Sequence, residues 1–289
     1  MKNFKQLISS LILAITFVGN VIAQDNTKTN LWKIEGDSIK TSYLFGTIHL
    51  LPKKDFKIAD KVKKAFDACD KVALEIDMAD TGFSAEVMKH SFLKEGEELK
   101  SYLDDDEYVV LDNYLKEKTG VGMANYNKFK PFMLMSVIMT SALGEQLASY
   151  EMTFMQMTKE ASKDMEGLET FKDQVKVFDA KPYDEQLDTL VEMIEDPEKN
   201  TETYKTLLDL YLAEDVDGMY NYMDEFMEGD IEAMKLFLDD RNNKWIPKFA
   251  EYSKDKSVFY AVGGGHLGGD QGVINLLKKA GYTVTPVTE

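Results

Sequence analysis

The sequence has 289 residues, with 51 acidic against 34 basic side chains and a formal net charge of -17. That length is ample for one large domain with a sizeable core, and the acidic balance argues against nucleic acid or anionic lipid as a partner, because phosphate recognition needs a basic footprint. The single cysteine, Cys69, cannot close an internal disulfide, so stability must come from the core itself.

Residues 1–23 read as a cleaved secretion signal. Lys2 and Lys5 form a basic start, Leu7 to Val18 is an apolar run, and Val21-Ile22-Ala23 before Gln24 has the small-residue character of a signal-peptidase site. An uncleaved anchor is the competing reading, but the run is short for a spanning helix and is interrupted by Ser9, Ser10, Gly19 and Asn20. The expectation is therefore a domain over residues 24–289, periplasmic or secreted, with no stable membrane insertion after cleavage.

The mature chain opens with two β-type runs, Leu31 to Ile34 and Thr41 to Phe45, which pair across the Glu35-Gly36-Asp37-Ser38 turn. Helical spacing follows from Ala59 to Asp70, with Val62, Ala65, Phe66 and Cys69 on one face, and then a β-branched run, Lys71 to Asp77, ends in carboxylates. From about Thr81 to Phe249 the pattern is mostly helical, over Glu107–Lys118, Pro131–Leu147, Tyr183–Glu195, Glu202–Ala213 and Asp230–Asp239. One interruption, Met165 to Thr170, resembles a brief strand that returns to the sheet. Val258 to Val262 is a buried strand, Gln271 to Ala280 a helix, and Tyr282 to Thr285 a last strand that Pro286 confines to an edge or an end. The fold class expected is α/β, in the α+β sense: a single domain whose central mixed sheet is built from the N- and C-terminal segments around a long, mostly helical middle.

Two of the three histidines close a Gly-x-x-His step directly after a strand: Gly46-Thr47-Ile48-His49 and Gly263-Gly264-Gly265-His266. A glycine at a strand end permits a sharp turn, which sets a side chain three residues later over the sheet edge, where α/β proteins place their chemistry. Neutral imidazole is a common ligand of transition metals, and two imidazoles with a carboxylate leave positions open for water and substrate. A lone Gly-x-x-His is more simply a core histidine beside a turn; two in matching contexts read as halves of one site.

Glu75 and Asp77 project to the same face of an extended strand. Glu75, between Leu74 and Ile76, is costly to bury without a partner and is taken as functional; Asp77 is taken as solvated. Glu169 ends a similar short run, or neighbours a helix N-cap. Arg241 and Asn242 follow a helical stretch, where an arginine forks onto carboxylates or a developing oxyanion, or else pairs at the surface with Asp239 or Asp240. The letters Gly263-x-Gly265-x-x-Gly268 also match a dinucleotide fingerprint, but too little chain remains after them to complete a nucleotide-binding half. Met133, Met135, Met139, Met152, Met155 and Met157 crowd the middle and read as core filling, with an adaptable apolar groove as the alternative.

With these motifs assembled, the chain resembles the TraB/PrgY/GumN family, which includes the TIKI proteins. The resemblance runs through Leu31-Trp32-Lys33-Ile34, Tyr43 to His49, Leu74-Glu75-Ile76-Asp77, Gly167-Leu168-Glu169-Thr170 with Gln174, Arg241-Asn242 with Trp245, and Ala261 to Leu267. It implies that the two Gly-x-x-His steps are the defining motifs, that His49, His266 and Glu75 lie on the active-site positions, and that Glu169, Arg241 and Asn242 accompany them. It also implies proteolysis dependent on a divalent ion, manganese or cobalt, with zinc a further candidate.

The function expected is an exported metal-dependent hydrolase acting on a peptide or protein substrate. His49, His266 and Glu75 would hold the ion, Glu75 or Glu169 would ligate it or accept a proton, and Arg241 with Asn242 would stabilise an oxyanion. The alternatives are a haem- or metal-binding uptake protein using the same histidines, and a non-catalytic surface factor that binds a partner through its helical middle.

Overall fold

The structure, a computed structural model, describes residues 27–289 apart from positions 145 and 228. The secretion signal expected over residues 1–23 lies outside the described residues. Among the described residues eight strands are formed: β1 (Leu31–Glu35), β2 (Ser42–Thr47), β3 (Leu51–Pro52), β4 (Lys71–Ile76), β5 (Leu147–Ala148), β6 (Asp164–Glu169), β7 (Val258–Gly263) and β8 (Thr283–Pro286). Six of them make one mixed sheet in the order β6-β4-β7-β2-β1-β8, in which β6, β4, β7 and β2 run parallel and β1 is antiparallel to both of its neighbours. The central strands are near-continuous apolar runs, as strands covered on both faces must be: every residue from Val258 to Val262 is buried. β8 takes an edge, with Pro286 opposite Trp32, which accommodates the missing amide hydrogen of proline.

The helices are α1 (Asp60–Asp67), α2 (Phe83–His90), α3 (Asp105–Thr119), α4 (Pro131–Leu143), α5 (Tyr150–Glu160), α6 (Phe171–Asp179), α7 (Tyr183–Glu195), α8 (Pro197–Leu212), α9 (Val216–Phe226), α10 (Ile231–Met234), α11 (Asp240–Tyr252) and α12 (Val273–Lys279). Alternation along β7 shows how they layer. Phe259 meets Phe66 of α1 and Phe154 of α5, at ring separations of 5.6 and 5.0 Å, whereas the next residue, Tyr260, stacks on Phe249 of α11 at 4.0 Å. Successive strand residues point to opposite faces, so the sheet is covered on both. A second apolar cluster joins α3, α4 and α7 through Leu111, Leu115, Leu134, Ile138, Leu187 and Leu190. Among the described residues no helix is long and apolar enough to cross a membrane.

The architecture is the α/β single domain expected, with differences at the helix ends. The helix expected over Pro131–Leu147 stops at Leu143, because Gly144 turns left-handed at φ 58°, and Leu147 enters β5 instead. The one expected over Glu202–Ala213 starts earlier, at Pro197, whose fixed φ suits a first turn capped by Asp196. The helix expected to end at Asp239 continues through a π-helical stretch, Lys235–Asp239, into α11. Of the six methionines, Met135 and Met157 are half-buried and pack against the two apolar clusters, as core filling requires, whereas Met139 and Met152 are exposed.

Candidate active site at the strand ends

β2 and β7 are parallel neighbours in register, Thr47 opposite Gly263, so the two Gly-x-x-His steps leave the sheet side by side. The histidines from opposite ends of the chain therefore reach one edge, the carboxyl ends of the parallel strands, where Glu75 of β4 and Glu169 of β6 also finish. The glycines serve this crowding rather than a left-handed turn. Neither Gly46 nor Gly263 has a positive φ. A Cβ on Gly46 would lie 3.1 Å from Leu267 Cδ2, and one on Gly263 would lie 3.3 Å from Glu75 Oε1, 3.5 Å from His266 Cδ2 and 3.7 Å from His49 Nε2. His49, Glu75 and His266 thus converge on a single point above Gly263.

Arg241, the only arginine of the sequence, ties the carboxylates together. Its Nη2 donates to Glu75 Oε2 and to Glu169 Oε1, each at 2.6 Å, and its Nε donates to both oxygens of Glu169 at 3.1 Å. Nη1 donates to the Phe237 carbonyl at 2.9 Å, inside the π-helical stretch. The surface pairing with Asp239 or Asp240 is not adopted; Asp239 accepts instead from the Tyr220 hydroxyl at 3.1 Å. Glu75 is completed by Gln174 Nε2 at 3.0 Å on Oε2 and by the Gly263 amide at 2.8 Å on Oε1. Burial alone would raise the Glu75 pKa, but the charge of Arg241, followed by those of the histidines and the Gly263 amide, lowers it to about 2. Burial also acts against a charged Arg241, and Glu75 and Glu169 more than offset it, holding its pKa above the usual value.

The two imidazoles are fixed in opposite ways. His266 is buried, its Nδ1 lies 2.7 Å from Asn242 Oδ1, and Asn242 Nδ2 donates to the Gln271 carbonyl at 2.9 Å. An amide oxygen only accepts, so His266 carries its proton on Nδ1 and offers a lone pair at Nε2, which accepts from Arg241 Nη1 at 3.1 Å. Burial and the Arg241 charge push its pKa down to about 3, so it is neutral. His49 sits at the open side of the site with a side chain 65% exposed, and its Nδ1 lies 3.0 Å from Glu151 Oε1. Partial desolvation in the cleft lowers its pKa, but the hydrogen bond and charge of Glu151 outweigh this and raise it to about 9. Water around so open a ring screens part of that attraction, so the upward direction is what the geometry fixes.

The structure brings these residues to one sheet edge with differing access. Glu75, Glu169, Arg241 and His266 form one hydrogen-bonded network; His49 faces the same point above Gly263 but bonds to Glu151, and Asn242 lies behind, fully buried, with its side-chain oxygen and nitrogen committed to His266 and Gln271. Asp77 stands apart and closes a local turn by accepting from the Ala79 amide, as expected of a solvated strand end. Glu151, in the Ser149-Tyr150-Glu151 step, is the residue to which sequence reasoning assigned no role.

The donor chemistry fits a divalent ion: two imidazoles whose Nδ1 atoms are held by acceptors, and a carboxylate facing the same point. In the arrangement described, the Arg241 guanidinium takes the Nε2 of His266, and among the described residues no group of three or more His, Cys, Asp or Glu side chains is set to hold a metal.

The family model of the TraB/PrgY/gumN family matches residues 30–286. A curated relative described as a metalloprotease TIKI homolog, from Amphimedon queenslandica, is 24% identical to the chain over an alignment covering 96% of it. The chain spans 66% of that relative's length. No solved structure matches. The matched span takes in both Gly-x-x-His steps, the β4 and β6 carboxylates and Arg241, so the chain belongs to the TraB/PrgY/gumN family.

Proposed function

We propose that the protein is an exported, metal-dependent hydrolase of peptides or proteins, with His49, Glu75 and His266 holding one divalent ion, manganese or cobalt by family resemblance. The observation that carries this reading is the convergence of His49 Nε2, Glu75 Oε1 and the His266 ring on one point above Gly263. The metalloprotease relative supports the reaction class. A divalent ion bound there would supply a water of lowered pKa and would polarise a scissile carbonyl.

The chain's own residues then divide the work. Glu75 presents Oε1 to the open point while Oε2 stays on Arg241 and Gln174, so one carboxylate both faces the reacting centre and keeps its anchor. Glu169 spends both oxygens on Arg241, which suits it to holding the guanidinium. Arg241, largely buried, presents a fixed positive charge to an oxyanion developing beside His266. Asn242 keeps His266 in its Nδ1-protonated form, which is the form that ligates through Nε2.

The test is a peptide-library cleavage assay on the protein from residue 24 onward, with manganese or cobalt and with chelator, alongside metal analysis. Cleavage that needs the metal and is abolished by His49→Ala and His266→Ala is expected. A His49→Ala protein that keeps both its metal and its peptidase activity overturns the proposal.

A further inference from the structure

We propose that Glu151 is a positioning residue for His49, and that the small β3–β5 sheet serves to hold the two together. The inference rests on the reading of His49 as a site residue. The two residues are 102 positions apart in sequence, yet Glu151 Oε1 lies 3.0 Å from His49 Nδ1. The same oxygen accepts from the Thr47 hydroxyl at 2.6 Å, and Oε2 accepts from the Ser149 hydroxyl at 2.8 Å. A carboxylate only 14% exposed needs such partners, and both of those on Oε1 come from the end of β2 and from the ring itself. A residue in the first turn of a helix usually serves that helix's own amide groups; Glu151 bonds its own amide and also reaches across to the Gly-x-x-His step.

The backbone around the pair is built to match. β3 begins two residues after His49 and β5 ends three before Glu151, and they pair as Leu51 with Ala148 and Pro52 with Leu147. The ladder is extended by the Lys53 amide on the Gln146 carbonyl at 2.9 Å. Beyond it, the Tyr150 hydroxyl donates to the Lys57 carbonyl at 3.0 Å, and its ring packs on Phe56 and Phe45. The loop carrying His49 is therefore strapped at several points to the turn carrying Glu151. With Nδ1 committed to the carboxylate, Nε2 is the nitrogen left to face Glu75 across Gly263.

The experiment compares Glu151→Ala, Glu151→Gln and each of these combined with His49→Ala, all in the full mature chain. The first readout is the nitrogen NMR signature of His49 at fixed pH in chelator, which requires neither metal nor activity. Glu151→Ala should move the His49 Nδ1 resonance, whereas Glu151→Gln, whose amide oxygen still accepts from Nδ1–H, should keep most of the wild-type signature. The second readout is manganese affinity by calorimetry, expected to weaken about 10- to 100-fold in Glu151→Ala and to recover in Glu151→Gln. In the His49→Ala background the Glu151 substitution should add nothing. An unchanged His49 resonance, or a Glu151 effect that persists without His49, overturns the inference. If the resonance moves in a protein that neither binds manganese nor cleaves peptides, the positioning role stands and the hydrolase reading falls.

Discussion

The guanidinium Nη1 of Arg241 lies 3.1 Å from the Nε2 of His266, so the chain's single arginine rests on the nitrogen that metal ligation requires. The contact follows from where Arg241 is held: Glu75 and Glu169, both with side chains 7% exposed, fix its other nitrogens, and the remaining one falls beside the ring. In effect a protein cation neutralises the acidic centre, and an ion bound as proposed would compete with it for His266. Removing Arg241 would leave two buried carboxylates without their partner. Arg241→Met should destabilise the chelated protein by about 3–5 kcal/mol, the range for breaking a buried ion pair on one side. Denaturant unfolding should also show a larger stabilisation by manganese in the variant than in the wild type. Equal stabilisation of the two proteins would contradict competition at His266.

Asn242 offers a cleaner perturbation, because it touches His266 without contacting either carboxylate. Asn242→Leu leaves the Nδ1 hydrogen of a buried ring unpaired, which costs about 1–3 kcal/mol. If Asn242 sets the tautomer, the nitrogen resonances of His266 should change while those of His49 stay in place. Movement of both rings together would indicate a general collapse of the site.

Much of this centre was legible in the sequence because it follows strands with strong patterns. The runs ending at Glu75, Glu169 and Gly263 mark three of the parallel strands, and the repeated Gly-x-x-His step marks where the histidines leave β2 and β7. Their adjacency is a product of parallel pairing, which the runs imply without stating the register. Glu151 was not legible, because β3 and β5 are two residues each and leave no periodicity to read. The π-helical stretch before Arg241 was hidden for the opposite reason: its apolar spacing matches an ordinary helix, and the five-residue backbone bond from the Asp240 amide to the Lys235 carbonyl separates the two. Met139 and Met152 depart from core filling because Gly144 and β5 divide what reads as one helical region into α4 and α5, each with its own exposed face.

The titration of the site gives a stability test in chelator. His266 is neutral in the fold, with a pKa near 3 against an ordinary 6.5, so below pH 6.5 the unfolded chain binds a proton that the folded protein resists. Its stabilising effect is full above pH 6.5 and is lost as pH falls towards 3. Glu75 acts in the same direction over a lower window, from its ordinary 4.5 down to about 2. The melting temperature should therefore fall on acidification from pH 6.5. His266→Gln should flatten the upper part of that decline, between pH 6.5 and 4.5, and Glu75→Gln the part below 4.5. An upper slope unchanged by His266→Gln would show that the ring is not held neutral.

Gly263→Ala separates folding from function more sharply than any change to the polar groups. The residue sits at φ -53°, a conformation open to alanine, so the backbone needs no rearrangement. The added methyl would stand at the point where the site converges, 3.3 Å from Glu75 Oε1 and 3.7 Å from His49 Nε2. The first distance is a tight contact that a small shift of the carboxylate relieves, so the loss of stability should stay within about 1–3 kcal/mol, the range for overpacking. A water or an ion cannot share that space with the methyl. The variant should therefore fold, keep its Glu75–Arg241 ion pair and lose metal affinity and peptidase activity together, as measured by calorimetry and cleavage on one preparation. Full activity in Gly263→Ala would mean that the chemistry takes place elsewhere than between these three side chains.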